Sequence, residues 1–527
     1  MADFTWDFPY PSKRMPVLAK NVVAASQPLA AQAGLRMLEM GGNAVDAAIA
    51  TAITLAVVEP NNNGLGSDAF AILWDGKKLH GLNASGKSPR ALTPKAFAGM
   101  TTMPSLGWGP TTVPGAVSAW MALHEKFGKL PFCQLFLQAI EYAEKGYLLT
   151  PIIGKSWNEL RETYKNSPDW SAAFLFNGRP PRIGEKVVFP DHARTLTRIM
   201  ETKGEAYYRG DIAEKIVAHS KKTGGYFSLE DFAEHKPLWV EPISQNYLGC
   251  TLHEIPPNGQ GIAALIMLGI LSQFDMGMYP VDTADSLHLQ IEAMKLAFAD
   301  ARRYVADPEY MSVKPSDLLD PDYLKKRAGL IDMKKARDPS WGIPPKGGTV
   351  YLTAADADGM MVSYIQSNFW SFGSGIVVPA TGIALQNRGL GFTLEEGHPN
   401  RVGGGKRPYH TIIPAFVTRN GKPLMSFGVM GGAMQPQGHA QMIIRIFDYS
   451  QNPQAASDAP RWQVMKNLEI ALEPGTRPDV MSELAARGHT LVTIEEPYFG
   501  GAQLIYRLED GYCAASERRK DGQAVGF

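Results

Sequence analysis

The chain reads as an α/β (α+β) protein, and three observations predict that class. Helical spacing dominates from about residue 115 to 330, and strand-like runs cluster after residue 349. Residues 44–58 are apolar on most sides, the pattern of a helix buried all round rather than on one face. The 527 residues would suffice for several domains at roughly 150 residues each. Large α/β enzymes nevertheless often build one continuous core.

Along the chain, Ser26 and Pro28 mark a helix start, with Leu29, Leu35 and Leu38 at helical spacing up to the stop at Gly41 and Gly42. Asn43 then caps the apolar helix 44–58, and the run 60–66 (PNNNGLG) breaks it. Residues 69–74 and 78–81 form a hairpin across Asp75 and Gly76. The helical region to 330 is interrupted by proline-rich stretches at 180–190 and 255–259, and 286–305 is its clearest amphipathic helix. Residues 337–348 (RDPSWGIPPKGG) change character and read as a flexible loop. Strands are predicted next at 349–355 and 360–367, joined by the hairpin signal 356–359 (DADG), then at 382–386, 412–418 and 424–427. The glycine-rich run 428–433 leads into a helix from about 437 to 449. No internal repeat and no low-complexity tract is present.

Composition narrows the chemistry. Hydrophobic residues make up 45% and charged residues 20%, as in an ordinary globular enzyme. Fifty-two basic residues balance 52 acidic ones, so nothing electrostatic argues for nucleic acid or an anionic membrane. The short basic run Lys325 to Arg327 is a solvated helix face. Cys133, Cys250 and Cys513 are far apart and form no CxxC pair, which excludes a disulfide scaffold and disfavours a cysteine metal site. The beginning of the sequence has no basic segment followed by an apolar one, and the longest apolar stretch is too short for a bilayer, so the expected location is cytoplasmic. The sequence contains no GxxxxGK[ST] loop, GxSxG elbow, HExxH or EF-hand; His124 with Glu125 and His253 with Glu254 lack the second histidine and read as structural. No metal and no cofactor is expected.

One feature points to catalysis. Thr349 follows Gly347 and Gly348 in the loop and opens a strand. A threonine hydroxyl is a poor nucleophile, but an N-terminal threonine can use its own α-amine as the base. That amine has a pKa of about 7.7–8.0, near the pH where a general base works best. Gly348 suits such a cut because a residue without a side chain lets the hydroxyl reach its carbonyl. Alone, a glycine pair before a strand is ordinary turn chemistry.

The sequence resembles the γ-glutamyltransferase family of N-terminal-nucleophile hydrolases along nearly its whole length. The matching stretches are 41–48 (GGNAVDAA), 56–60 (AVVEP) with 64–66 (GLG), 114–117 (PGAV), Gly348 with Thr349, 372–376 (FGSGI), 406–408 (KRP) with Pro414, Gly431 with Gly432, and 459–462 (APRW). The resemblance implies a proenzyme that cuts itself between Gly348 and Thr349 into a large (α) subunit, 1–348, and a small (β) subunit, 349–527. Together these would form one intertwined four-layer αββα sandwich. It also implies roles. Thr349 matches the nucleophile, Ser367 falls where the family has a threonine that hydrogen-bonds it, and Gly431 and Gly432 match the pair whose N–H groups form the oxyanion hole. A glycine turn from strand to helix points N–H groups outward, as developing negative charge needs.

Substrate-reading positions depart from the family. Ser85 stands where a γ-glutamyl enzyme has the arginine that grips the substrate α-carboxylate, and Arg90 could replace it only through a shifted loop. The family's asparagine, glutamine and aspartate that bind the α-amine fall at Phe369, Arg388 and Gly391, and its serine pair at His410 and Thr411. A γ-glutamyl ammonium would fit such a pocket badly. Arg388 suggests instead a small amide bearing a carboxylate, held bidentately, oxamate being the type case within this family. The bland reading pairs Arg388 with Glu395 or Glu396. Two further readings stay open: a glutathione-type γ-glutamyl hydrolase or transferase, and a non-maturing homologue that serves as a binding protein. The partners implied are a small-molecule amide and the two subunits of the same chain, with a homodimer of the processed pair as an open assembly, and no nucleic acid or membrane.

Overall fold

The computed structural model describes Trp6, residues 13–339 and residues 348–527. Most of the loop expected before Gly348 lies at 340–347, outside the described residues. The helix Pro28–Glu39 starts with proline at its first position, but its cap is Gln27, whose side chain accepts from the Ala30 N–H at 3.1 Å. Ser26, read as the helix start, instead donates to Glu59 Oε2 at 2.6 Å. Asn43 caps Ala44–Val58 as expected. Its Oδ1 accepts from the N–H groups of Val45 and Asp46, and Asp46 returns the bond to the Asn43 N–H, so two otherwise orphaned donor sets are satisfied. Every residue of this helix is buried, which agrees with its all-round apolar pattern.

Two seven-stranded sheets, counted among the described residues, form the centre. One runs Gln523–Gly526, Val22–Ala25, Gly348–Ala355, Met361–Phe369, Asp68–Trp74, Leu79–Asn83, Leu238–Val240. The other runs Val17–Ala19, Tyr512–Ala515, Gly501–Arg507, Lys422–Met430, Ala415–Arg419, Cys250–Glu254, Ile243–Tyr247. Side chains alternate along a strand, so each sheet has two faces with different partners. Tyr351, Ala355, Met361 and Ile365 meet Phe416, Met430 and Ile505 in a core between the sheets. Val350, Leu352, Val362 and Tyr364 point the other way, onto the core built with Ala44–Val58 and Ala116–Phe127. The second sheet's outer face packs on Ile262–Leu271, Ala284–Tyr304 and Met434–Phe447. The layers are therefore helix, sheet, sheet, helix, the expected αββα sandwich.

Two expectations are corrected. The region read as helical to 330 contains five strands, Tyr147–Leu148, Lys186–Val187, Leu238–Val240, Ile243–Tyr247 and Cys250–Glu254. The first two form a small two-stranded sheet, Leu238–Val240 and Ile243–Tyr247 are edge strands of the two large sheets, and Cys250–Glu254 lies one strand in. All of them are too short for a clear period-2 signal. The helix read as amphipathic, Ala284–Tyr304, is buried along most of its length, polar residues included. Its polar positions meet buried partners rather than water.

Candidate active site

Thr349 and Ser367 sit on neighbouring antiparallel strands, and both point into the space between the sheets. The ladder is regular from Val350 to Ala355, but Gly348 pairs with Phe369 while Val350 pairs with Gln366. The partner strand thus carries one extra residue opposite Thr349, a bulge of the kind that re-aims side chains beside active sites. The two hydroxyls meet at 3.2 Å, and Ser367 Oγ also accepts from the Phe369 N–H at 2.7 Å. Just beyond the bulge Phe369 adopts φ +74°, a left-handed conformation that costs a bulky residue on the order of 1–3 kcal/mol.

Gly431 and Gly432 follow the end of Lys422–Met430 with φ of +121° and +60°. A side chain would be strained at both, so the turn requires glycine. Their carbonyls accept from the N–H groups of Met434 and Gln435, which opens the helix Met434–Phe447. Gln435 was not foreseen as a site residue. Its Nε2 donates to Thr349 Oγ at 3.5 Å, which brings the start of this helix against Thr349. Gln260 holds the turn from behind, its Nε2 donating to the carbonyls of Thr411 (2.6 Å) and Gly432 (2.8 Å).

The other expected residues form one buried group. Arg388 is fully buried; its Nη1 donates to Thr411 Oγ1 at 2.6 Å, and its guanidinium lies 4.3 Å from the centre of the Phe369 ring. Its Nε and Nη2 have no hydrogen-bond partner among the described residues. The expected alternative partners are elsewhere: Glu396 pairs with Arg401, and the acid that acts on Arg388 is Asp68. Burial pushes the guanidinium down to about 9, which leaves it charged at neutral pH.

Asp68 puts an acid near Arg388, although the family's amine-binding aspartate falls at Gly391. It is fully buried, 3.1 Å from His410 Nε2, and its other oxygen accepts from the N–H groups of Gly86 and Gly115. Burial pushes its carboxyl up to about 7, against the pull of Arg388 and those N–H groups. Burial, and then the Arg388 charge, hold the His410 imidazole well below its ordinary range. Ser85 stands one layer back. Its hydroxyl donates to Asn83 Oδ1, which places it in a network with Asn258, whose carbonyl accepts from the His410 N–H. Arg90 is exposed and paired with Glu234, so it does not reach the pocket.

Residues read as structural keep structural partners: His124 meets the Leu130 carbonyl and His253 the Thr418 hydroxyl. A buried group of His288, Glu292 and His489 has metal-ligand spacing, with ligand atoms within 4.8 Å of one another. Its atoms are saturated, however. His288 bonds His489 and the Asp332 carbonyl, Glu292 accepts from Lys295 and the Arg337 N–H, and the Lys295 ammonium occupies the side a cation would need. Among the described residues no helix is long and apolar enough to cross a membrane.

Comparison with known proteins agrees with this geometry. The family model for gamma-glutamyltranspeptidase matches residues 30–527. The chain is 34% identical to the glutathione hydrolase-like YwrD proenzyme of Bacillus subtilis, over 96% of this chain and 98% of that one. It is 32% identical to the oxamate amidohydrolase proenzyme of Klebsiella pneumoniae, over 97% and 99%. Among solved structures, the cephalosporin acylase from Bacillus halodurans superposes with a TM-score of 0.96 at 47% identity, covering 100% of this chain and 99% of that one. With the match running from residue 30 to the last residue, the chain belongs to the gamma-glutamyltranspeptidase family.

Proposed function

We propose that this chain is a proenzyme that cuts itself between Gly348 and Thr349, and that the freed Thr349 hydrolyses a small amide carrying a carboxylate, oxamate being the type substrate. In maturation the Thr349 hydroxyl attacks the Gly348 carbonyl carbon. The C–N bond breaks as the hydroxyl proton passes to the departing Thr349 nitrogen, and water hydrolyses the resulting ester. The new α-amine then serves as base: it takes the Oγ proton as Oγ attacks the substrate amide. Gly431 and Gly432 donate to the oxyanion, the amine of the amide leaves, and water releases the acid.

The observation that carries the substrate assignment is Arg388. A buried guanidinium with two donors that have no partner among the described residues is costly unless something fills them, and a carboxylate matches that fork. It lies against Phe369, whose own N–H rests on Ser367, the neighbour of Thr349. The similarity to an oxamate amidohydrolase proenzyme supports the same substrate class. The catalytic roles of Thr349, Ser367, Gly431 and Gly432, and the large and small subunits at 1–348 and 349–527, are part of this proposal.

The test is a denaturing gel and an ammonia assay. The native chain is expected to give two fragments, the smaller beginning at Thr349, and Thr349→Ala to remain folded, uncut and inactive. Fragments from Thr349→Ala would overturn the cleavage site. Amine release from a γ-glutamyl anilide without ammonia release from oxamate would overturn the substrate class.

A further inference from the structure

Resting on the assignment of Thr349, we infer that Gln435 is a further catalytic residue: a side-chain donor that joins the glycine turn in stabilising charge at the reacting oxygens. Gln435 is fully buried in the first turn of Met434–Phe447. An amide side chain can be turned either way, but here one end is fixed. Its Oε1 accepts from the Ile413 N–H at 2.9 Å, a bond only the oxygen can make. Its NH₂ group therefore faces the nucleophile, 3.5 Å from Thr349 Oγ.

That distance is beyond the optimum for an N–H···O bond, so the contact contributes little before reaction. Its placement suits the charge that develops on attack. Attack puts the oxyanion two bonds from Oγ, on the carbon that Oγ joins, so a donor beside Oγ can turn to the new O⁻ as its charge develops. Donors that are slack in the resting site and tighten as charge develops lower the barrier without strengthening ground-state binding. Side-chain and backbone donors are set by the same few residues. The Gln435 N–H bonds the Gly432 carbonyl at 3.2 Å, so a shift of the turn moves both. Because Thr349 is the nucleophile in both steps of the proposed mechanism, the donor serves self-cleavage and turnover alike.

Two variants separate this role from a merely structural one. Gln435→Glu keeps an acceptor for the Ile413 N–H and loses the donor; Gln435→Met loses both. Fragment appearance in freshly produced chain is followed by gel, which needs no substrate, and ammonia release from oxamate gives kcat and KM on the mature enzyme. Both variants are expected to cleave themselves about 10²–10³-fold more slowly, the loss typical of one oxyanion donor, and to lower kcat with KM little changed. Native-rate cleavage by Gln435→Glu with slow cleavage by Gln435→Met would assign Gln435 to holding Ile413 only, and overturn the inference. If neither variant folds, Gln435→Asn, which draws the amide back by one methylene, takes their place, and native-rate cleavage by it overturns the inference as well. Thr349→Ala runs alongside. Fragments from it remove both this role and the reading it rests on, whereas an inert Thr349→Ala beside a native-rate Gln435→Glu removes the role of Gln435 alone.

Discussion

Asp68 sets the charge beside Arg388, the group proposed to read the substrate carboxylate. With its carboxyl pushed up to about 7 by burial, Asp68 passes from neutral to anionic around neutral pH. Arg388 and Arg407 favour the anion, while His410, held neutral, adds no charge. Below about pH 7 the neutral acid leaves Arg388 free for a substrate carboxylate, which stays ionised throughout this range. Above it the Asp68 anion competes for the same guanidinium. KM for oxamate is therefore expected to rise roughly 10-fold, about 1.4 kcal/mol, as pH increases through 7, and to stay flat in Asp68→Asn. A native KM that does not change with pH would remove Asp68 from substrate reading. Neither Asp68 nor Gln435 was legible in the sequence: one is a polar residue at the mouth of a strand, the other a glutamine in a helix, and only the fold shows what they face. Thr349, Ser367 and the glycine pair, the proposed catalytic group, stand out in the sequence only through the family resemblance, and the structure brings the hydroxyls of Thr349 and Ser367 to 3.2 Å. Arg388 was legible as an oddity of charge, but its proposed acidic partners were the near ones in sequence, and burial selected a distant one.

Elements were legible where both ends and the pattern agreed. The helix Ala44–Val58 has a capping residue before it, apolar residues throughout and a proline break after it, and it is found where expected. The strands 238–254 failed that test: proline at 237, 242, 256 and 257 punctuates them, and each is only three to five residues long. The cap at Asn43 also ties two helices, since its Nδ2 donates to the Phe127 carbonyl at 2.7 Å, the last residue of Ala116–Phe127. Asn43→Ala is expected to cost about 1–2 kcal/mol, the usual range for a lost cap, read as a lower urea midpoint with an unchanged slope. Since Thr349 is on the sheet this helix covers, the cleavage rate under native conditions is expected to stay within about twofold. An unchanged midpoint would show that the apolar face alone holds the helix.

At the scale of the molecule, the proposed cut does not divide the sandwich into two bodies. In the sheet that carries Thr349, strands before the cut (Val22–Ala25, Asp68–Trp74, Leu79–Asn83) interleave with strands after it (Gly348–Ala355, Met361–Phe369, Gln523–Gly526). In the other sheet four adjacent strands after the cut are flanked on both sides by strands before it, with Ala415–Arg419 laddered to Cys250–Glu254 and Tyr512–Ala515 to Val17–Ala19. The core between the sheets takes Phe70, Ile72 and Ile255 from one side of the cut and Tyr351, Ile365 and Phe416 from the other. The small fragment also has its own anchor, a buried cluster in which Arg461 pairs with Glu517 and Arg519 with both Glu517 and Glu473. That cluster explains the arginine of the 459–462 run as structural. Contacts of this kind, backbone ladders and buried apolar surface, are barely screened by salt. The two fragments are therefore expected to co-elute in gel filtration as a particle that contains one copy of each, in 1 M salt as in dilute buffer, and to part only in denaturant together with loss of activity. A small fragment that leaves the large one in salt alone, with activity retained by either, would mean that the catalytic unit is not the interleaved sandwich. Separation should instead expose two strand edges at once, that of Gly348–Ala355 toward Val22–Ala25 and that of Met361–Phe369 toward Asp68–Trp74, and exposed edges of this length aggregate; precipitation on dilution from denaturant is the outcome that agrees with it.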